Sequence, residues 1–137
     1  MAKYVVTGNK VTINGVDLSS SIARAELSIN VADVDTTDFG SNGYTELIGG
    51  LKSGTVSIDF HQDYASASVE ATIFPLLGSI ATAVIIAGNG TAASSTTPAY
   101  TATVLVNNWN PVSGAVGDLS TVSVTWPTSG AVSKATA

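Results

Sequence analysis

The chain has 137 residues, 45% of them apolar and 11% charged, with ten carboxylates against five basic residues and a formal net charge of −5. That length suits one domain around one core, and the absence of cysteine removes disulfide scaffolds, thiolate zinc sites and cysteine nucleophiles. The cations, Lys3, Lys10, Arg24, Lys52 and Lys134, are scattered singly, which argues against adhesion to nucleic acid by phosphate neutralisation.

An ordinary soluble domain carries about 25% charged residues. The deficit leaves two readings: a surface covered by further copies of the chain, or one solvated by serine and threonine hydroxyls. Met1 to Thr7 lacks an apolar segment long enough for a secretory signal, and the most apolar stretch, Ile80–Ala87, is far too short to span a bilayer. Synthesis in a cytoplasm and no membrane partner are the expectations.

Period-2 alternation dominates and predicts strands with one buried face. A first hairpin is expected over Lys3–Thr7, a Gly8-Asn9 turn and Lys10–Asn14, with Asn14-Gly15 as a second turn. The clearest strand is Ala23–Val31, where Ala23, Ala25, Leu27, Ile29 and Val31 oppose Arg24, Glu26, Ser28 and Asn30. From Ala32 to Gly50 neither period is sustained. This acidic, glycine-bearing stretch reads as a long loop, and such loops tend to be functional or to order on a partner.

Alternation resumes at Thr55–Phe60 with Val56, Ile58 and Phe60 on one face. A helix is expected from about Ser66 to Leu77, with Val69, Ile73, Leu76 and Leu77 as its apolar stripe. Asp63 or Ser66 would cap its start, Pro75 would disturb its last turn, and Gly78 would end it. Ile80–Ala87 reads as a strand buried on both faces and Gly88–Pro98 as a polar loop. Tyr100–Val106 and Val122–Trp126 follow as alternating strands, and residues 131–137 as a small polar tail behind one domain spanning 1–130. About seven strands and one flanking helix predict a mainly-β fold, a β-sandwich or barrel.

No GxSxG elbow, phosphate-cradling glycine loop, HExxH or dinucleotide fingerprint occurs, and an enzyme is not expected. His61 shares a strand face with Asp59 and Asp63, a combination that could coordinate a metal only with ligands the sequence does not name; a polar face turned to solvent or a neighbour is the simpler reading. Asp33, Asp35 and Asp38 resemble an EF-hand loop only faintly, because the third acid comes one residue late and no glutamate follows at the required offset. Trp109 and Tyr100 could form a sugar-stacking platform; core packing or a subunit contact is the competing account.

The stretch from Val31 to Phe60 resembles the major tail tube proteins of long-tailed, siphovirus-type bacteriophages. The resemblance rests on Asp35-Thr36-Thr37-Asp38-Phe39-Gly40 and on Gly49-Gly50-Leu51-Lys52-Ser53-Gly54-Thr55-Val56-Ser57-Ile58-Asp59-Phe60. Pro75-Leu76-Leu77-Gly78, a strand, a polar loop and a closing Val122-Ser123-Val124-Thr125-Trp126-Pro127 then follow in the family's order. It implies a β-sandwich with a flanking helix, hexameric rings stacked into a hollow tube, and a long loop that reaches the adjacent ring. By position that loop is 32–50, with Asp33, Asp35, Asp38, Phe39, Tyr44, Glu46 and Leu47 as its candidate contact residues, mobile until neighbours order it. The implied partners are further copies, tape-measure and terminator proteins at the ends, and DNA passing through without adhesion. No cofactor or metal is implied. Two alternatives stay open: a capsid decoration or head–tail joining protein, and a carbohydrate-binding β-sandwich.

Overall fold

The computed structural model describes residues 3–136. Seven strands form one antiparallel sheet in the order β2-β1-β5-β6-β7-β4-β3. They are β1 (Lys10–Ile13), β2 (Val16–Asp17), β3 (Ile22–Asp35), β4 (Leu47–His61), β5 (Ile80–Ile86), β6 (Ala99–Leu105) and β7 (Thr121–Ala135). The single short helix α1 (Val69–Ile73) lies between β4 and β5. The fold is mainly β, as the alternation predicts.

β7 explains how one sheet makes a sandwich. Thr121–Pro127 pairs with β4, whereas Thr128–Ala135 pairs with β6. Pro127 has no N–H to offer, and it stands where the β4 ladder ends. Two extra β7 residues then bulge between the Thr128 and Val132 pairings, and Gly130 there takes a φ of +100° that a side chain would resist. Bends of this kind let a strand pass from one packed sheet to the other. β3, β4 and the first half of β7 thereby face β1, β5, β6 and its second half.

Cross-strand rows give the core. Leu27–Val56–Trp126, Ala25–Ile58–Val124 and Phe60–Val122 point inward from the three-stranded half. Val11, Ile13, Ala81, Ala83, Ala102 and Val104 answer from the other half. Full burial of each large aliphatic or aromatic side chain contributes about 1.5–3 kcal/mol. Trp126 lies between the halves, with its Nε1 donating to the Asn108 carbonyl at 3.0 Å. Trp109 meets Phe60 edge-on at 5.5 Å between centroids and donates from Nε1 to Glu70 Oε1 at 3.0 Å. Val69 and Ile73 of α1 close that end of the core.

Several expectations need correction. Residues 3–9 are not a strand; β1 pairs with β2 and β5 instead, while the Asn14-Gly15 turn forms with both residues at positive φ. The helix is shorter than Ser66–Leu77. Ala67 sits at a φ of +58° ahead of it, and the Pro75 turn, Phe74–Leu76, is 3-10. Ser68, not Asp63 or Ser66, occupies the N-cap position. Ile80 and Thr82 on β5 are exposed, so that strand is buried on both faces only at Ile85 and Ile86. The expected polar tail is strand as far as Ala135, because β6 supplies a ladder to it; Ala137 lies outside the described residues. Lastly, 32–50 is not one loop, since β3 runs to Asp35 and β4 begins at Leu47.

A Cβ on Gly54 would lie 2.5 Å from the Ser28 carbonyl oxygen, which belongs to the paired backbone and has nowhere to go. Gly54→Ala is expected to destabilise the domain by about 1–3 kcal/mol, read as a lower urea midpoint. Gly8→Ala, with nothing within 4 Å, serves as the neutral control, and equal midpoints for the two variants would contradict this packing.

Candidate assembly surfaces

β4 pairs with β7 only from Thr55 onward. Beyond that point the β3–β4 hairpin continues as a two-stranded ribbon, with Ile29–Gly54, Val31–Lys52, Val34–Ile48 and Asp35–Leu47 as cross-strand partners. A register shift between the Val31 and Asp33 pairings places an extra β4 residue at Gly50-Leu51. Any Cβ at Gly50 would lie 2.8 Å from Val34 Cγ2 and 3.3 Å from the Ala32 oxygen, so glycine is what lets the strands close there. Isolated two-stranded ribbons are marginal in water, yet this one leaves Val31, Val34, Ile48 and Leu51 exposed, Leu51 to 87%.

The tip between the strands is internally bonded. Thr36 donates its N–H to the Glu46 carbonyl at 2.9 Å, and Glu46 N–H donates to Thr37 Oγ1 at 2.8 Å. Asp35 Oδ1 accepts from Thr37 N–H at 2.8 Å. Asp38 caps a single 3-10 turn, Phe39–Ser41: its Oδ1 accepts from Gly40 N–H at 2.9 Å while its own N–H donates to Ser41 Oγ at 3.2 Å. Asn42 and Gly43 then reverse the chain at φ values of +55° and +82°. The Thr37 hydroxyl and N–H together hold the Asp35 carboxyl below its ordinary value.

All seven sequence-predicted residues, Asp33, Asp35, Asp38, Phe39, Tyr44, Glu46 and Leu47, therefore lie on the outer hairpin, in paired strand or ordered tip rather than in a structureless loop. Their side chains divide the work. Asp35 and Asp38 serve the tip, whereas the Asp33 and Glu46 carboxylates make no hydrogen bond or ion pair among the described residues. Phe39 and Tyr44 project into solvent.

Sequence reasoning missed Ile48 and Leu51, although both flank Gly49-Gly50, where alternation fails. It also missed a second exposed apolar group at the opposite end, where β4 finishes and β7 starts. Val112, Val116 and Leu119 protrude there from a glycine-bearing connection, with Phe74 and Ile80 exposed nearby in the chain around α1. A segment with apolar residues but no period of burial is the signal that could have flagged it. Between the ribbon and β7 lies an open groove of about 360 Å³ lined by Ile29, Val31, Lys52, Ala131 and Val132.

The remaining candidates disperse. Asp59 stands in an exposed row with Arg24 and Ser123, and His61 lies opposite Thr121. Asp63 is lowered by the Ala65 N–H and the Ser68 hydroxyl it accepts from. Among the described residues no three His, Asp or Glu side chains gather as a metal set. Trp109 is buried on Phe60 and so offers no exposed face to a sugar ring, and Tyr100 lines a cleft with Leu27, Ile29 and Ile85.

The fold defined by these elements occurs in phage-like tail particles. No family model and no curated protein matches the sequence, but solved structures do. One is a chain in the tail of an empty gene transfer agent particle refined helically with C6 symmetry (TM-score 0.64, 19% identity, 82% of this chain and 81% of that one). Another belongs to the virion of a native gene transfer agent particle (TM-score 0.70, 15% identity, 90% and 94%). A third lies in the 6-fold symmetrised baseplate of the anti-feeding prophage (TM-score 0.57, 12% identity, 98% and 97%).

Because Asp35 is depressed, the order it confers is present above its ordinary value of 3.8 and lost as pH falls through the lowered one. Thr37 amide protection, corrected for intrinsic exchange, is expected to hold to about pH 4 and fall below it. Asp35→Ala should lack that protection at neutral pH. Unchanged protection in the variant would remove Asp35 from the tip's scaffold.

Proposed function

We propose that the chain is the major tail tube subunit of a siphovirus-type phage or phage-like particle, a structural protein without a catalytic role. Six copies close into a ring, rings stack into a hollow tube, and DNA passes through it. The observation that carries the reading is the fold it shares, over 82% of its length, with a chain from a tail of C6 symmetry. The unpartnered ribbon and the exposed apolar group at the opposite end support it independently. Two unlike surfaces on one subunit give heterologous contacts, which generate closed rings or open stacks. The ribbon is the element that reaches a neighbouring copy, through Asp33, Asp35, Asp38, Phe39, Tyr44, Glu46 and Leu47 together with Ile48 and Leu51.

The outer face of the three-stranded half suits a channel wall. Its rows Arg24–Asp59–Ser123, Glu26–Ser57–Thr125 and Ser28–Thr55 carry hydroxyls, two carboxylates and one cation, and they offer a phosphate backbone little to hold. The protein is made in the host bacterial cytoplasm and resides in the virion tail. Tape-measure and terminator proteins complete the two ends of the tube.

Negative-stain microscopy of the concentrated protein tests the reading directly. Tubes or six-fold rings are the expected result, and a chain that stays single at high concentration overturns it. Deleting Asp38–Thr45 joins Thr37 to Glu46, residues already bonded to each other. That variant should remain a folded monomer whose critical concentration for tube formation is raised about tenfold or more, the scale of one lost interface hot spot. Tube formation at the wild-type concentration would remove the tip from the interface.

A further inference from the structure

We infer that the ribbon of one copy seats on the basic end of the four-stranded half of a neighbouring copy, acid against base and apolar against apolar. The inference rests on the self-assembly proposed above and names the surface that receives the ribbon.

Three of the five cations, far apart in sequence, lie toward that end. Lys10, Ile86, Ala99 and Ala135 form one cross-strand row. Val11, Ile85, Tyr100 and Lys134 form the next. Successive rows point to opposite faces, so Lys10 and Lys134 bracket the end of the sheet across three strand spacings, about 14 Å. Lys3 joins them through the N-terminal arm. The Asn89 side chain, in the turn after β5, accepts from Thr7 N–H at 2.8 Å and Gly8 N–H at 2.9 Å and donates to the Val5 carbonyl at 3.0 Å. Lys3 lies two residues ahead of Val5.

The two surfaces match in kind. The ribbon combines the carboxylates of Asp33 and Glu46, which make no hydrogen bond or ion pair among the described residues, with exposed Val31, Val34 and Ile48 and a single cation, Lys52. The basic end combines three lysines, none in an ion pair among the described residues, with exposed Tyr4, Val5 and Val6. Asp17 has its carboxylate hydrogen-bonded to Ser19 at 2.6 and 3.0 Å, which lowers its pKa with help from the charge of Lys10. Among the described residues the one ion pair is Arg24–Glu26, which engages neither the ribbon carboxylates nor a lysine. Within one copy the ribbon faces the second half of β7 across an open groove, and no ion pair joins the two among the described residues. A second copy is therefore the occupant that satisfies both at once, and each copy then gives one contact and receives one.

Charge exchange tests this. One variant carries Asp33→Lys and Glu46→Lys, the other Lys10→Glu and Lys134→Glu; all four positions lie on exposed or half-exposed strand ends, and far-UV circular dichroism checks that both variants fold. At about 0.1 M salt each variant alone should associate at least about tenfold more weakly than wild type, because like charges then face each other across the contact. An equimolar mixture should recover assembly, with the two variants alternating. Wild-type assembly should also weaken as salt rises toward 1 M, where screening shortens to about 3 Å. Undiminished assembly of the single variants, a folded mixture that does not recover, or salt-insensitive wild-type assembly overturns the inference while leaving the tube reading intact. A wild-type chain that never associates overturns both.

Discussion

β7 has one backbone and two partners, and the exchange between Pro127 and Thr128 constrains everything around it. A strand that stayed with β4 throughout would give a three-stranded sheet with a long third strand and no cover. By leaving, β7 carries its second half to β6 and closes Trp126 between the two halves. The same departure removes the third strand from β3 and β4 beyond Gly54. The core and the unpartnered ribbon are consequences of one change in hydrogen bonding. Gly130 and the bulge around it supply the local freedom that the change requires.

Low charge acquires a location once the register is known. The exposed rows of the three-stranded half are rich in serine and threonine, with Arg24, Glu26 and Asp59 among them, and one pair, Ser57 and Thr125, bond to each other at 3.1 Å. Hydroxyls keep that face wet without fixing a sign of charge. Carboxylates gather on the ribbon and its tip, where Lys52 also stands, and Lys10 and Lys134 lie on the opposing half. Exposed apolar side chains sit beside both and again at the β4–β7 turnaround. The hydroxyl reading of the composition describes the three-stranded face, and the exposed apolar ends are what the covered-surface reading requires.

The legible parts of the sequence were those where a strand has one face in the core. Ala25 to Leu27, Val56 to Phe60 and Val122 to Trp126 alternate because every second side chain meets the other sheet, and these segments read as strand, although β4 and β7 extend well beyond them. Past Val31 the rule loses its cause. A ribbon with no layer against it has no reason to alternate, and the Gly50 bulge shifts the phase as well, so strand there read as loop. The same reasoning covers Gly130, where a bulge made paired backbone look like a tail, and residues 3–9, whose side chains alternate but whose backbone is held by Asn89 rather than by a ladder. The acids of the candidate surface were visible by composition. Ile48 and Leu51 were not, since an apolar residue signals a contact only when something shows that it is exposed.

Leaving a 14-residue strand at the sheet edge invites indiscriminate pairing, because its unbonded N–H and C=O groups accept any extended chain. β3 answers with charge along that edge. Asp33 and Asp35 occupy the outer part and Arg24 and Glu26 the inner part. Two ribbons meeting edge to edge in the register that sets their outer ends side by side would bring the aspartates of both copies together, a repulsive arrangement. An approach by a lysine-bearing surface carries no such cost. The charge pattern thus disfavours the symmetric contact and favours an asymmetric one, and asymmetric contacts are the kind that extend from a pair of copies to a ring or a column. An edge that would otherwise be an aggregation hazard becomes directional by the placement of two carboxylates.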